Sequence, residues 1–182
     1  MQIDTKDVKE KGTALLRFYN ELNSDNKDGG YLTIADRGFI NGSEYFTIGK
    51  IPSDKRSKYV SFSQEKAHRV LTHWLRSSFV DKNIDVAKHG IIFPEDGESV
   101  VSSYQTRNPD LGMWGGAVLF EQMYSNPNIV SFSGLPELAD EALSYILGKD
   151  LGLVRDQGLL QKIKEISNNP FVDDMRERFK RG

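Results

Sequence analysis

Cysteine is absent from all 182 residues. That excludes disulfides, thiolate metal sites and thiol nucleophiles, and it fits a reducing compartment. Long hydrophobic runs are missing too, since none approaches the ~20 apolar residues that cross a bilayer. The opening Met1-Gln-Ile-Asp-Thr-Lys lacks the basic-then-apolar order of a signal peptide. Together these features predict a cytoplasmic protein with no membrane partner. No one sign of charge dominates. A net charge of −2 supplies no field that would draw the chain to nucleic acid. The basic residues near the end (Arg176, Arg178, Lys180, Arg181) alternate with Asp173, Asp174 and Glu177, as on a solvated helix face. Histidine occurs three times, never in a metal-helix spacing, so no metal is expected. Neither a phosphate-binding P-loop nor a dinucleotide glycine fingerprint is present.

What is present reads as a mixed α+β chain. Residues 4 to 24 have apolar positions at helical spacing (Val8, Leu15, Leu16, Tyr19, Leu22) behind a capping Asp4 or Thr5. A turn-rich stretch, 24–30, ends that helix. Two β-branched and aromatic segments follow, 31–36 and 43–51, joined through Asn41-Gly42 as a hairpin. Pro52 to Lys58 reads as a polar loop. Ser61 and Gln64 match a capping box opening a second helix, with Ala67, Val70, Leu71, Trp74, Leu75 and Phe79 as its apolar stripe. His68 and His73 flank that stripe about 140° apart and cannot share one metal; His89 falls in a loop. In 81–110, Ile91 to Phe93 and Ser99 to Tyr104 have strand composition, and Arg107 to Gly112 is a turn. A segment of this length suits a lid or an insertion.

The least generic text runs from Gly115 to Gly148. Gly115-Gly116 gives a backbone without β-carbons where a strand begins, which permits either close packing or close approach of a ligand. Strands at 117–122 and 128–133 flank a hairpin connection through Pro127. Gly134 makes a corner, Pro136 takes the first helical position, and Glu137, Asp140 and Glu141 suit the positive end of the helix dipole. Gly148 ends that helix. Ser131 and Ser133 share one side of their strand and lead to free helix amides, a cradle for a carboxylate or phosphate. A serine that merely fits a crowded strand end is the alternative. Further helices follow, one from Asp156 and one after Asn169-Pro170 with Phe171, Val172, Met175 and Phe179 as its apolar face. The domain reading is one α+β unit over 1–154, with a C-terminal helical extension over 155–182 docked on that unit or on a neighbouring subunit.

The order of motifs resembles the HbpS-like or GlcG-like family, often labelled haem-degrading, which also includes the C-terminal domain of some cobalamin adenosyltransferases. The counterparts are Thr33-Ile-Ala-Asp36-Arg-Gly38, Lys66-Ala67, Gly115-Gly116, and Val130-Ser-Phe-Ser133-Gly134 followed by Asp140-Glu141. The usual Gly-Ala-Ile-Gly run before the Ser-Gly is replaced by Asn128-Ile-Val-Ser, and 81–110 and 151–182 have no counterpart. The resemblance implies a profilin-like antiparallel sheet flanked by helices and a homo-oligomer of even order. It also implies binding of a small molecule, with haem or another anionic metabolite as candidates. The predicted pocket comprises Ser131, Ser133, Gly134, Gly115, Gly116 and Lys66. Two other readings stand beside it. One is an oligomeric structural or interaction module without ligand chemistry. The other is an enzyme using Ser133 with Asp140 and Glu141, in which the two acids diverge by about 100° on their helix and form no tight dyad.

Overall fold

A computed structural model describes residues 3–24, 26–36, 39, 42–79, 100–122, 125–153 and 158–181. Its elements are α1 (Thr5–Asn23), β1 (Gly29–Ala35), β2 (Ser43–Gly49), α2 (Ser53–Phe79), β3 (Ala117–Gln122), β4 (Ser125–Ser133), α3 (Glu137–Asp150), α4 (Leu159–Ser167) and α5 (Phe171–Arg181). The four strands form one antiparallel sheet in the order β2-β1-β4-β3. The fold class is therefore α+β, as the sequence predicts. No helix among the described residues is long and apolar enough to cross a membrane.

Strand alternation sorts the sheet into two faces. Leu32, Ile34, Phe46, Ile48, Val118, Phe120, Val130 and Phe132 point to a large core shared with α1, α3, α4 and α5. Ala35, Ala117, Leu119 and Ile129 point the other way, onto Ala67 and Val70 of α2. The sheet is thus covered by α2 on one side and by the remaining helices on the other. Leu159 and Ile163 of α4 and Val172 and Met175 of α5 are buried in the large core. The C-terminal helices therefore pack on the chain's own sheet domain.

Local chemistry explains most boundaries. Asp4 caps α1, its carboxylate accepting from the Lys6 and Asp7 amides at 2.8 and 3.4 Å. Asn168 turns left-handed to end α4, and Asn169 Oδ1 accepts from the Phe171 amide to open α5. Several expectations are corrected. α2 begins at Ser53, so the stretch 53–58 is its first turns rather than a loop, and Ser61 lies exposed within the helix and caps nothing. These turns carry no apolar face, hence no helical period to read; Asp54 favours them at the positive end of the dipole. β1 reaches back to Gly29, a residue assigned to the preceding turn. β4 starts at Ser125 and runs through Pro127, with a register shift against β3 between Phe120 and Gln122 that accommodates the imide.

Further corrections fall around α3 and the loop before β3. Ser102 makes only an isolated bridge to Val118, and 103–106 coil into a 3₁₀ turn. Here Ser102 accepts from the Tyr104 amide while Gln105 Oε1 accepts from the Val101 and Ser102 amides. Pro136 caps α3 instead of opening it, and the helix runs past Gly148 to Asp150; Gly148 faces the Phe120 ring, where no side chain fits. The predicted strand at 91–93, the cap at Asp156, the connection at 123–124, His89, and the side chains of Leu75 and Phe79 lie outside the described residues.

Candidate functional site

The corner between β4 and α3 is built from both sides of the sheet. Ser131 pairs with Thr33 on β1 and Ala117 on β3, placing its side chain under α2. There Ser63 Oγ donates to the Ser131 carbonyl at 2.8 Å and lies 2.9 Å from Thr33 Oγ1. The Ser131 hydroxyl is fully buried and has no hydrogen-bond partner among the described residues. Ser133 is buried as well. Gly134 is required by contact, since a Cβ there would lie 2.7 Å from both the Gly29 carbonyl oxygen and Gly30 Cα.

One turn beyond Ser63, Lys66 enters the corner from α2. Its Nζ donates to Asp140 Oδ2 at 2.8 Å and to the Phe132 carbonyl at 3.1 Å. Asp140 Oδ1 accepts from the Leu135 amide at 2.8 Å, and the Gly134 amide also donates to this carboxylate. The amides predicted to cradle an anion therefore hold one already, the chain's own Asp140. Lys66 and Asp140 are 1% and 2% exposed, so their charges meet in low dielectric, where such a pair needs every hydrogen bond it can make. Burial pushes the Asp140 carboxyl up to about 6, against the opposing pull of Lys66 and of the Leu135 and Gly134 amides.

The glycine pair closes the corner from above. Gly116 has φ +122°, and a Cβ on it would lie 2.6 Å from Asp140 Cβ and 2.9 Å from Lys66 Nζ. Its carbonyl accepts from Ser144 Oγ at 2.7 Å. The neighbouring Gly115 amide donates to Glu137 Oε2 at 3.0 Å, while Glu137 Oε1 meets Arg107 at 2.5 Å. Arg107 in turn lies 4.1 Å above the Tyr104 ring centroid. The six residues of the predicted pocket lie around this corner, and Lys66 and Asp140 occupy the space beside Gly116. An open groove of about 370 Å³ lies elsewhere, along Lys9, Glu10, Thr13, Ala14 and Arg17 of α1.

The residues proposed for catalysis diverge. Asp140 faces Lys66, whereas Glu141 is buried on another side and accepts from Ser102 Oγ, from Ser167 Oγ at 2.5 Å and from Asn169 Nδ2 at 2.9 Å. Burial pushes the Glu141 carboxyl up; these three donors oppose that, and the charge of Glu137 adds to it. His68 is exposed and stacks on Phe39 with centroids 4.2 Å apart, and His73 is buried. Among the described residues no group of three or more acids and histidines could hold a metal ion.

Sequence reasoning missed Arg69. This buried guanidinium donates to the carbonyls of Ser103, Thr106 and Trp114 at 2.9, 2.7 and 2.5 Å, and to Thr106 Oγ1 at 2.8 Å. It ties the loop 103–114 to α2 and pairs with Glu65 at 2.6 Å. A signal was available. Ser63, Lys66, Arg69 and His73 recur every three or four residues around the apolar Ala67 and Val70, which marks polar side chains bound for burial. Compared with protein-family models, curated proteins and solved structures, the chain matches none.

Proposed function

We propose that the protein is an interaction module that works as an assembly of an even number of copies, cytoplasmic and of profilin-like architecture. One observation carries this reading. Leu111 and Trp114 are 57% and 39% exposed on a loop whose backbone is held by the buried Arg69. Bridging bonds between Asn108 and Met113 close the same loop. Large apolar side chains on a rigid support lose little entropy on docking, and Trp is a preferred anchor of protein interfaces. The filled corner points the same way, because ligand entry would require the Lys66–Asp140 pair to separate. An assembly binds only its folded state, so its stability depends on concentration. The melting temperature is expected to rise as protein concentration increases from about 1 to 100 μM, a change that mass action makes worth about 2.7 kcal/mol. A melting temperature independent of concentration overturns the reading.

The buried, unpartnered Ser131 hydroxyl favours a second reading, a small-ligand carrier of the HbpS-like or GlcG-like kind. A buried polar atom without a partner is uncommon and suits a polar guest. On this reading haemin or inorganic phosphate raises the melting temperature, and haemin shows a shifted Soret band. Titrations that change neither quantity remove it.

A further inference from the structure

The two edges of the sheet are treated differently. Along the outside of β3, the Leu119 amide donates to the Val101 carbonyl at 2.8 Å and Ser102 bridges to Val118, so residues 101–103 cover that edge from Ala117 to Leu119. Along the outside of β2, no strand pairs among the described residues. The register fixes which groups face outward. The Asp36 amide bonds the Gly42 carbonyl and the Lys50 amide bonds the Asp28 carbonyl. The even-numbered residues of β2 therefore bond β1, and Ser43, Tyr45, Thr47 and Gly49 turn their N–H and C=O groups away from it.

Exposed edges normally carry a guard such as lysine, proline or a bulge. β2 carries neither lysine nor proline and a single charge, Glu44; it pairs with β1 without a register shift up to Gly49, which turns left-handed at φ +67°. Tyr45, 46% exposed, stands at this edge, stacked on Tyr31 with ring centroids 6.2 Å apart. From Ser43 to Ile48 the edge keeps one register and carries an exposed aromatic ring.

We propose that β2 pairs antiparallel with β2 of a second copy about a two-fold axis at Phe46, joining two four-stranded sheets into one. This rests on the assembly reading above and adds a second contact surface, at the sheet edge opposite Leu111 and Trp114, with a second copy as the partner. A two-fold at Phe46 is the register that engages all four outward residues of both copies, setting Ser43 opposite Gly49 and Tyr45 opposite Thr47. The Tyr–Thr match is an aromatic–β-branched pair, favourable across strands. Charge selects the same register. Glu44 lies opposite Ile48, and its diagonal neighbour is Lys50 of the second copy, within reach of a long side chain. This ion pair forms twice. Within one copy the strand from Glu44 to Gly49 alone spans about 16 Å before Gly49 turns left-handed, so Glu44 and Lys50 meet only between copies.

The full-length chain tests this by sedimentation equilibrium. Thr47→Pro removes an outward N–H and no bond to β1, a substitution edge strands tolerate. It is expected to weaken association about 100-fold, a difference of about 2.7 kcal/mol. Glu44→Lys and Lys50→Glu singly are expected to weaken association about tenfold, each setting like charges together, and the double swap to restore it. Wild-type affinity in Thr47→Pro, with the fold confirmed by circular dichroism, overturns the edge contact and leaves the assembly reading intact. A monomeric wild type overturns both. Should Thr47→Pro fail to fold, the charge swap decides alone: a double variant no tighter than the singles overturns the proposal.

Discussion

At Gly116 the backbone takes φ +122° directly over a buried ion pair, with Asp140 Cβ and Lys66 Nζ inside the space a methyl group would need. Gly42 shares a positive φ, +94°, but a Cβ on it would meet nothing within 4 Å among the described residues. The two positions separate backbone strain from steric conflict. Gly42→Ala is expected to cost about 1 to 2 kcal/mol, from conformation alone. Gly116→Ala adds displacement of a desolvated ion pair and is expected to cost about 4 kcal/mol or more. Urea unfolding of the two variants checks this, and equal midpoints contradict it. The sequence made the close approach at Gly115-Gly116 legible, because paired glycines at a strand start permit nothing more specific. It did not identify what approaches. Lys66 and Asp140 lie 74 positions apart, and no local pattern pairs residues at that distance. Asp140 instead reads as an acid placed to suit the helix dipole.

Among elements, one buried carboxylate links the loop before β3 to the C-terminal helices. Glu141 of α3 receives Ser102 from the loop before β3, Ser167 from α4 and Asn169 from the α4–α5 junction. Its carboxyl is raised above 4.5 by burial, with Glu137 adding to the shift and the three donors opposing it. A raised carboxyl contributes stability that is fully present below its unfolded value and is lost as pH rises through its folded value. Glu141→Gln does not titrate. The stability advantage of wild type over this variant is therefore expected to shrink as pH rises above the ordinary glutamate range. Urea midpoints along that rise measure it, and a gap independent of pH contradicts the account.

The elements themselves were legible where one periodicity ran unbroken. α1, α3 and the apolar face of α5 follow from spacing, and the paired strands β1 and β2 from their β-branched and aromatic composition. The start of α2 was not, because 53–58 is exposed on every side and a solvated helix has no hydrophobic period. The start of β4 was hidden by Pro127, which reads as a breaker until the register shift beside it is seen.

For the whole molecule, the large core joins α1 at one end of the chain to α5 at the other, so the predicted extension and the sheet share one interior. Docking of the extension was foreseeable from Val172 and Met175; its choice of the chain's own domain was not, since an apolar helix face does not specify whose surface covers it. The surface then leaves large apolar side chains near both edges of the sheet, Tyr45 on β2 and Leu111 with Trp114 on the loop beside β3. An isologous contact at either place produces assemblies of even order. Sedimentation equilibrium of the wild-type chain tests this most directly. Across about 1 to 100 μM, concentrations at which micromolar contacts form, the account predicts a mass that settles at an even multiple of 20.6 kDa. A single species of 20.6 kDa throughout would contradict it.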